Sequence, residues 1–437
     1  MSLTTAMSVI DGSIANVALP TIAHELHVGA AAIVWVVNAF NLAVTGALIA
    51  SAGFGASLGL TRMYRMGVIV FTLGSLLCAL SGSFALLVAA RVLQGIGAAM
   101  VMSMSPALVR SIFPRAQLVR AFGWNSIVVS AAGAAGPTAG GILLTVLAWP
   151  WLFAINVPIA IVSIALGART LPETVGHGQR PDIASIITSA IGFSLLVYGI
   201  DGFSRHDPLL LIAFEIGAGA LIFSWFVRRQ FRLPRPIIAL DLFRLPVFSS
   251  AAQTSFATWT AWGLSFVTLP FVLQLDRGLS PLASGLVLTA WPLGTALAAP
   301  FAARLVDRLP VRTIASVGLS VFALALALYA LFVHTAPLPA VVAFGALAGF
   351  GFGFFQAPNN GELLGSAPIE KAPSAAALLA TLRVSGQTLG GSLVAIVFSW
   401  AERSGATAFV QLAAPVTLTL ATSCAIIAAV VSVRRLA

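Results

Sequence analysis

Polar residues in this chain do not alternate with apolar ones at a period of two or 3.6. They gather in short breaks between apolar runs about twenty residues long, the length that crosses a bilayer as a helix. Read in windows of about 19 residues, the runs predict fourteen helices, at approximately 3–23, 31–54, 64–82, 84–109, 121–147, 150–168, 183–203, 208–227, 248–274, 281–303, 312–333, 338–360, 374–400 and 407–433. All-round apolarity rich in Gly and Ala fits helices packed closely in lipid. The short alternating segments of a membrane barrel are absent.

Composition agrees. Hydrophobic residues make up 59% of the 437, charged residues only 8%, and the mean hydropathy is +1.01. Fourteen spans leave about 31 residues per span and connection, too few for a separate soluble catalytic domain. The formal net charge of +10 raises the question of nucleic acid, but its distribution excludes it. Arg62, Arg65, Arg110, Arg115, Arg120, Arg169, Arg180, Arg228, Arg229, Arg232, Arg235, Arg244, Arg304, Arg308, Arg312, Lys371, Arg434 and Arg435 fall in breaks on one side of the predicted membrane. Only Arg205, Arg277 and Arg403 fall on the other, about 18 against 3, so the first side is cytoplasmic and both termini lie there. No cleavable signal is evident, since the first run carries Asp11 and leads straight into the bundle. Cys78 and Cys424 sit within apolar runs and read as small buried hydrophobes.

The longest hydrophilic stretch, Arg228 to Arg244 with Pro234 and Pro236, is the natural linker between two halves. A weak repeat supports this. The stretch from Gly53 to Arg62 follows the second span, and the stretch from Arg304 to Arg312 follows the tenth. Both come after the second helix of a six-helix half if the seventh and eighth helices are an inserted pair. The expected organisation is a six-helix bundle over 1–170, inserted helices over 171–229, a cytoplasmic linker over 230–247 and a second six-helix bundle over 248–437. Such repeats suit a carrier that rocks one half against the other around a midplane site.

Ionisable groups within the spans carry the candidate chemistry, because each costs several kcal/mol unless paired, hydrated or functional. Asp11 lies midway along the first helix, where a carboxylate can hold a proton or a cation but hardly both. Against this stands a structural Asp hydrogen-bonded to backbone or to Asn16. Arg91 is the only arginine deep in the first six helices and needs a carboxylate, a wet cavity or backbone carbonyls. Gln94 shares its face. Glu215, in the inserted pair, is either a second protonation site or a protonated carboxyl at a helix contact, and Asp201 is expected to be wetted. Asn38 and Asn41 are placed to face a cavity together, with Asn16, Gln94, Gln253, Gln356 and Asn359 as further polar lining. Trp259, Trp262, Phe266, Trp291 and Phe355 are candidates for an aromatic wall. Arg383 is intramembrane with no evident role.

Four stretches resemble the major facilitator superfamily, and within it the fourteen-span drug:proton antiporter family. They are Asp11 to Pro20, Arg91 to Ala99, Gly133 to Gly141 and Trp149 to Pro158, in order and on the expected helices. The resemblance covers essentially the whole chain. It implies the major facilitator fold, a proton-coupling role for Arg91, and a conformational motif of Gly133, Gly136, Pro137, Gly140 and Gly141. It also implies a cytoplasmic gate built on Gly59 and Arg62 in one half and Asp307, Arg308 and Arg312 in the other. One departure stands out: Ala56 and Ser57 occupy the stretch where that family carries an Asp.

No Walker A loop is possible around the single lysine, Lys371, and the His24 to His27 run lacks zincin spacing. The expected function is export of lipophilic, cationic drugs or toxic compounds in exchange for protons, by alternating access in a bacterial inner membrane. The working unit is expected to be a monomer whose partners are protons, a small-molecule solute and the lipid bilayer, with no cofactor, no metal and no nucleic acid. A carrier for a metabolite such as an amino acid or siderophore-like acid, and a membrane-embedded enzyme or sensor, remain as alternatives.

Overall fold

The computed structural model describes residues 1–114, 117–174, 182–233, 236–306, 308–368, 371–404 and 409–434. The described residues form helices and connections, with no strand. In chain order the helices are α1 (Ser2–Glu25), α2 (Ala30–Ile33), α3 (Trp35–Leu58), α4 (Leu60–Ala79), α5 (Phe84–Ile112), α6 (Leu118–Val146), α7 (Trp151–Ala154) and α8 (Asn156–Thr170). They continue as α9 (Ile183–Arg205), α10 (Leu209–Arg232), α11 (Pro246–Phe271), α12 (Pro281–Val306), α13 (Val311–Phe332), α14 (Leu338–Gly365), α15 (Ala372–Arg403) and α16 (Phe409–Arg434).

Among the described residues thirteen helices are long and apolar enough to cross a membrane, and Trp151–Gly167 is a shorter apolar one. The sixth predicted span is therefore the shorter one, and it keeps a helical backbone, with one break in its ladder of hydrogen bonds. Its break falls at Ile155, between α7 and α8. Pro158 has no N–H to give to the carbonyl of Ala154, so the ladder loses a rung there. The hydrophilic stretch from Arg228 also differs from a plain linker. It begins inside α10 and includes a short 3-10 turn over Leu240–Arg244.

The chain divides into two compact units. The first comprises Met1–Val28, Trp35–Gly199 and Leu209–Ile237; the second comprises Gly29–Val34, Ile200–Pro208 and Ile238–Ala437. In the first unit α4 and α3 pack along α5, and α1 packs along α6. Small residues allow this, since lipid offers no hydrophobic drive between helices and close backbone contact must supply the attraction. Gly136 is the tightest point of the α1–α6 contact: a Cβ there would lie 2.5 Å from the Cβ of Ser13. Gly136→Leu should separate the two helices and destabilise the protein by roughly 1–3 kcal/mol, read as a fall in melting temperature in detergent. An unchanged melting temperature would contradict this packing. In the second unit α14 lies along α12 and α13, and α15 lies along α11.

The amino-terminal end of α9 is held to α10 by an ion pair. Asp182 accepts Arg229 Nε at 3.1 Å and Arg229 Nη2 at 3.0 Å, and it also accepts the Ser185 hydroxyl at 2.6 Å. These bonds, Arg229 first, hold the Asp182 carboxyl below its usual range. The stabilisation is complete above the unfolded carboxyl value of about 3.9 and is lost as the pH falls through the lower folded value. Melting temperature in detergent should therefore drop on acidification below about pH 4. Asp182→Asn should flatten that part of the profile; an identical acid limb in both proteins would exclude the pair as a contributor.

Candidate functional site

The site grows from polar side chains carried by four apolar helices, α1, α4, α5 and α8. Asp11 on α1 is 2% exposed, and Arg91 and Gln94 on α5 are 0% exposed. Arg91 Nη1 donates to Asp11 Oδ2 at 2.6 Å, and the same nitrogen donates to Gln94 Oε1 at 2.6 Å. Gln94 Nε2 donates to Asp11 Oδ1 at 2.8 Å and to Ser75 Oγ on α4 at 2.7 Å. Asn156, at the head of α8, donates its amide to Asp11 Oδ1 at 2.7 Å. Arg91 Nε donates to the Val36 carbonyl at 2.9 Å, and its guanidinium lies 4.2 Å from the ring centroid of Phe40 and 5.5 Å from that of Phe153.

Two features give the arrangement its chemistry. Both oxygens of Asp11 are engaged, by one charged and two neutral donors. Arg91 Nη2 is buried with no acceptor among the described residues. The cluster is thus one negative and one positive charge in a dry interior, with one donor left over. A proton delivered to Asp11 cancels the negative member and leaves Arg91 without its counter-charge. Of the partners Arg91 was expected to need, it has a carboxylate, Asp11, and a backbone carbonyl, Val36. The structural alternative changes, because Asn16 donates to the Gly12 carbonyl at 2.8 Å and not to Asp11.

The other candidates fall elsewhere. Asn38 is fully buried and Asn41 is half-buried. Glu215 is buried on α10 against Gly199 of α9, a different helix pair from the Asp11 cluster. Asp201, expected to be wetted, is buried and accepts Arg205 Nη1 at 3.2 Å. In the second unit Asn359 donates to Ser255 Oγ at 2.8 Å and tethers α14 to α11. Gln253 is exposed and donates to Ser249 Oγ at 3.3 Å, and Gln356 is half-buried. Trp259 joins an aromatic cluster with Trp262 and Phe352, at centroid distances of 5.7 and 4.9 Å.

Of the glycine motif, Gly136 and Gly140 meet Ser13 and Ile14 of α1, and Gly133 is 3.8 Å from Val9 for an added Cβ. Pro137 and Gly141 are buried in α6. Gly59 adopts φ 94°, open to glycine but strained for other residues, at the join of α3 and α4. Thr61 then donates from its hydroxyl to the Pro172 carbonyl at 2.6 Å, tying this turn to the end of α8. Arg62 and Arg308 are exposed, Arg312 is half-buried, and Asp307 lies outside the described residues. Ser75, Asn156 and the Val36 carbonyl were not singled out as site groups by the sequence. Asn156 had a signal, a polar side chain in an apolar run next to Pro158; Ser75 had none.

Helices long and apolar enough to cross a membrane, packed around a buried, hydrogen-bonded ion pair, define an integral membrane protein. The profile of the Major Facilitator Superfamily matches residues 1–390 and, in a second match, 251–435, and the chain belongs to that family. It is 41% identical over 399 residues to the uncharacterized transporter YebQ of Escherichia coli K12, covering 90% of this chain and 87% of that one. It is 31% identical over 396 residues to the riboflavin transporter RibZ of Clostridioides difficile, covering 90% and 86%. To the methyl viologen resistance protein SmvA of Salmonella typhimurium it is 30% identical over 398 residues, covering 89% and 79%. The protein is thus a multi-pass membrane carrier of small molecules with the major facilitator fold.

Proposed function

We propose that this carrier exports lipophilic small molecules, cationic drugs among them, in exchange for protons, by alternating access across a bacterial inner membrane with both termini cytoplasmic. The observation that carries the reading is the Asp11–Arg91 pair at 2.6 Å, with both side chains wholly buried. A buried pair is weak support for stability, since apolar residues of similar volume often do as well. A single proton on Asp11 breaks it, which makes it suited to coupling a proton to a change of shape. Export is the direction suggested by the drug-resistance name of SmvA. Asp11 and Arg91 are the proton site, Glu215 is a second buried carboxyl open to the same role, and the monomer is the working unit. Gly59, Arg62, Asp307, Arg308 and Arg312 form the cytoplasmic gate in this reading, and the α1–α6 glycine contact repacks between states.

The cation preference rested on a free carboxylate, and Asp11 is already neutralised by Arg91. It is therefore kept on the strength of the methyl viologen relative alone. A second reading, a carrier for a flat metabolite, is favoured by the likeness to a riboflavin transporter. Proteoliposomes with an imposed pH gradient separate the two. Methyl viologen moving against its gradient, and stopping when a protonophore collapses the pH difference, is the expected result. Riboflavin flux indifferent to the protonophore, with no methyl viologen flux, would replace the first reading by the second.

A further inference from the structure

Two of the 23 basic residues lie far from any predicted span end: Arg91 in the first unit and Arg383 in the second. Arg91 has a carboxylate. Arg383 sits about three turns inside α15, and among the described residues no Asp or Glu pairs with it. Its Nε is buried without an acceptor. What it does have is Trp259, whose ring centroid lies 4.8 Å from the guanidinium carbon. Such a contact supplies less than a charge within a membrane protein demands.

Trp259 is itself one member of a closed ring of aromatic contacts. Trp259 meets Trp262 at 5.7 Å, Trp262 stacks on Phe266 at 4.4 Å, and Phe266 meets Trp291 at 6.2 Å. Trp291 meets Phe322 at 5.7 Å, Phe322 meets Phe352 at 5.7 Å, and Phe352 returns to Trp259 at 4.9 Å. Trp262 alone of the six is partly exposed, so it is where a ring from outside the cluster makes contact. Trp291 Nε1 is a second buried donor with no acceptor. The set offers flat surface and unsatisfied donors, and no carboxylate to match a cation.

From this we infer that the second unit holds a site for a planar aromatic anion, its carboxylate on Arg383 and its ring system against Trp262. This goes beyond the transport reading by adding a substrate class of opposite charge to the cations named there, and it rests on that reading only for the steps after binding. Glycine at 263, 386 and 390 brings α11 against α15 beside the site, which fixes Trp259 relative to Arg383.

The test uses two xanthene dyes of one skeleton, fluorescein as the carboxylate and rhodamine 6G as the esterified cation. Binding is read by equilibrium dialysis against purified protein in dodecyl maltoside micelles, with protein-free micelles subtracted. Arg383→Gln should weaken fluorescein at least tenfold and leave rhodamine 6G within threefold. Arg383→Lys should retain most fluorescein binding. Because an unmatched charge is removed, Arg383→Gln should melt no lower than the unaltered protein. Asp11→Asn should leave fluorescein binding within threefold even where it stops pH-driven flux, so that a failed coupling and a failed binding site are told apart. Four results each overturn the inference: no fluorescein binding to the unaltered protein, equal fluorescein binding in Arg383→Gln, loss of both dyes together, or a collapse of melting temperature that makes Arg383 a brace. Displacement of fluorescein by added phosphatidylglycerol would assign Arg383 to a lipid phosphate and overturn it too.

Discussion

Arg91→Gln should destabilise the protein by about 3–5 kcal/mol, the range for removing one member of a buried ion pair. The loss comes from geometry. Asp11 is 2% exposed and would keep only the two neutral donors, Gln94 at 2.8 Å and Asn156 at 2.7 Å, for a full negative charge in a dry interior. The penalty belongs mostly to the abandoned carboxylate, not to the lost contact. The double variant Asp11→Asn with Arg91→Gln should therefore recover a large part of the stability, since both charges go together. Melting temperatures of the two single variants and the double, in one detergent, decide it. Additive losses would show that the two residues contribute independently.

Asp11→Asn should abolish proton-driven transport, the larger functional effect of the two. Asn keeps the volume and two polar atoms at position 11 but cannot take up and release a proton. The bonds from Gln94 and Asn156 converge on Oδ1, so that oxygen is fixed in place, and Oδ2 facing Arg91 at 2.6 Å is where protonation acts on the pair. If protonation separates Asp11 from Arg91, the freed guanidinium must find a new partner, and its Nη2 already lacks one. A helix carrying such a group gains by moving. Asn at position 11 holds Arg91 permanently in one of these conditions, so the cycle stops while solute binding persists. Facilitated, gradient-independent exchange of solute should survive in this variant.

The helical membrane fold was legible because lipid imposes it: a chain whose apolar runs are about twenty residues long has few other ways to satisfy its backbone. Span ends were less so. The break at Ile155 depends on one missing N–H at Pro158, and α10 runs on through Arg232 because charged side chains tolerate a helix end as readily as a loop. The centre of the candidate site was half legible. Asp11, Arg91 and Gln94 declared themselves as polar groups where polar groups are expensive. Their partnership did not, because Asp11 and Arg91 are 80 positions apart and no spacing rule joins them. Ser75 is a hydroxyl in an apolar helix, a residue type that commonly bonds its own helix carbonyl, and nothing in its neighbours marks it as the acceptor for Gln94. Arg383 was visible as a charge without a role. Its lack of a carboxylate is a fact of three dimensions.

The central claim is that the Asp11 carboxyl gains and loses a proton as solute crosses. It is tested most directly by loading proteoliposomes with methyl viologen and a pH-sensitive dye, with no pH difference imposed, and watching the lumen as solute leaves down its gradient. The unaltered protein should acidify the lumen in step with methyl viologen efflux, and Asp11→Asn should show neither net efflux nor acidification while still exchanging lumenal for external methyl viologen. Acidification of equal size in both proteins would contradict the account, because the proton would then be carried by some other group.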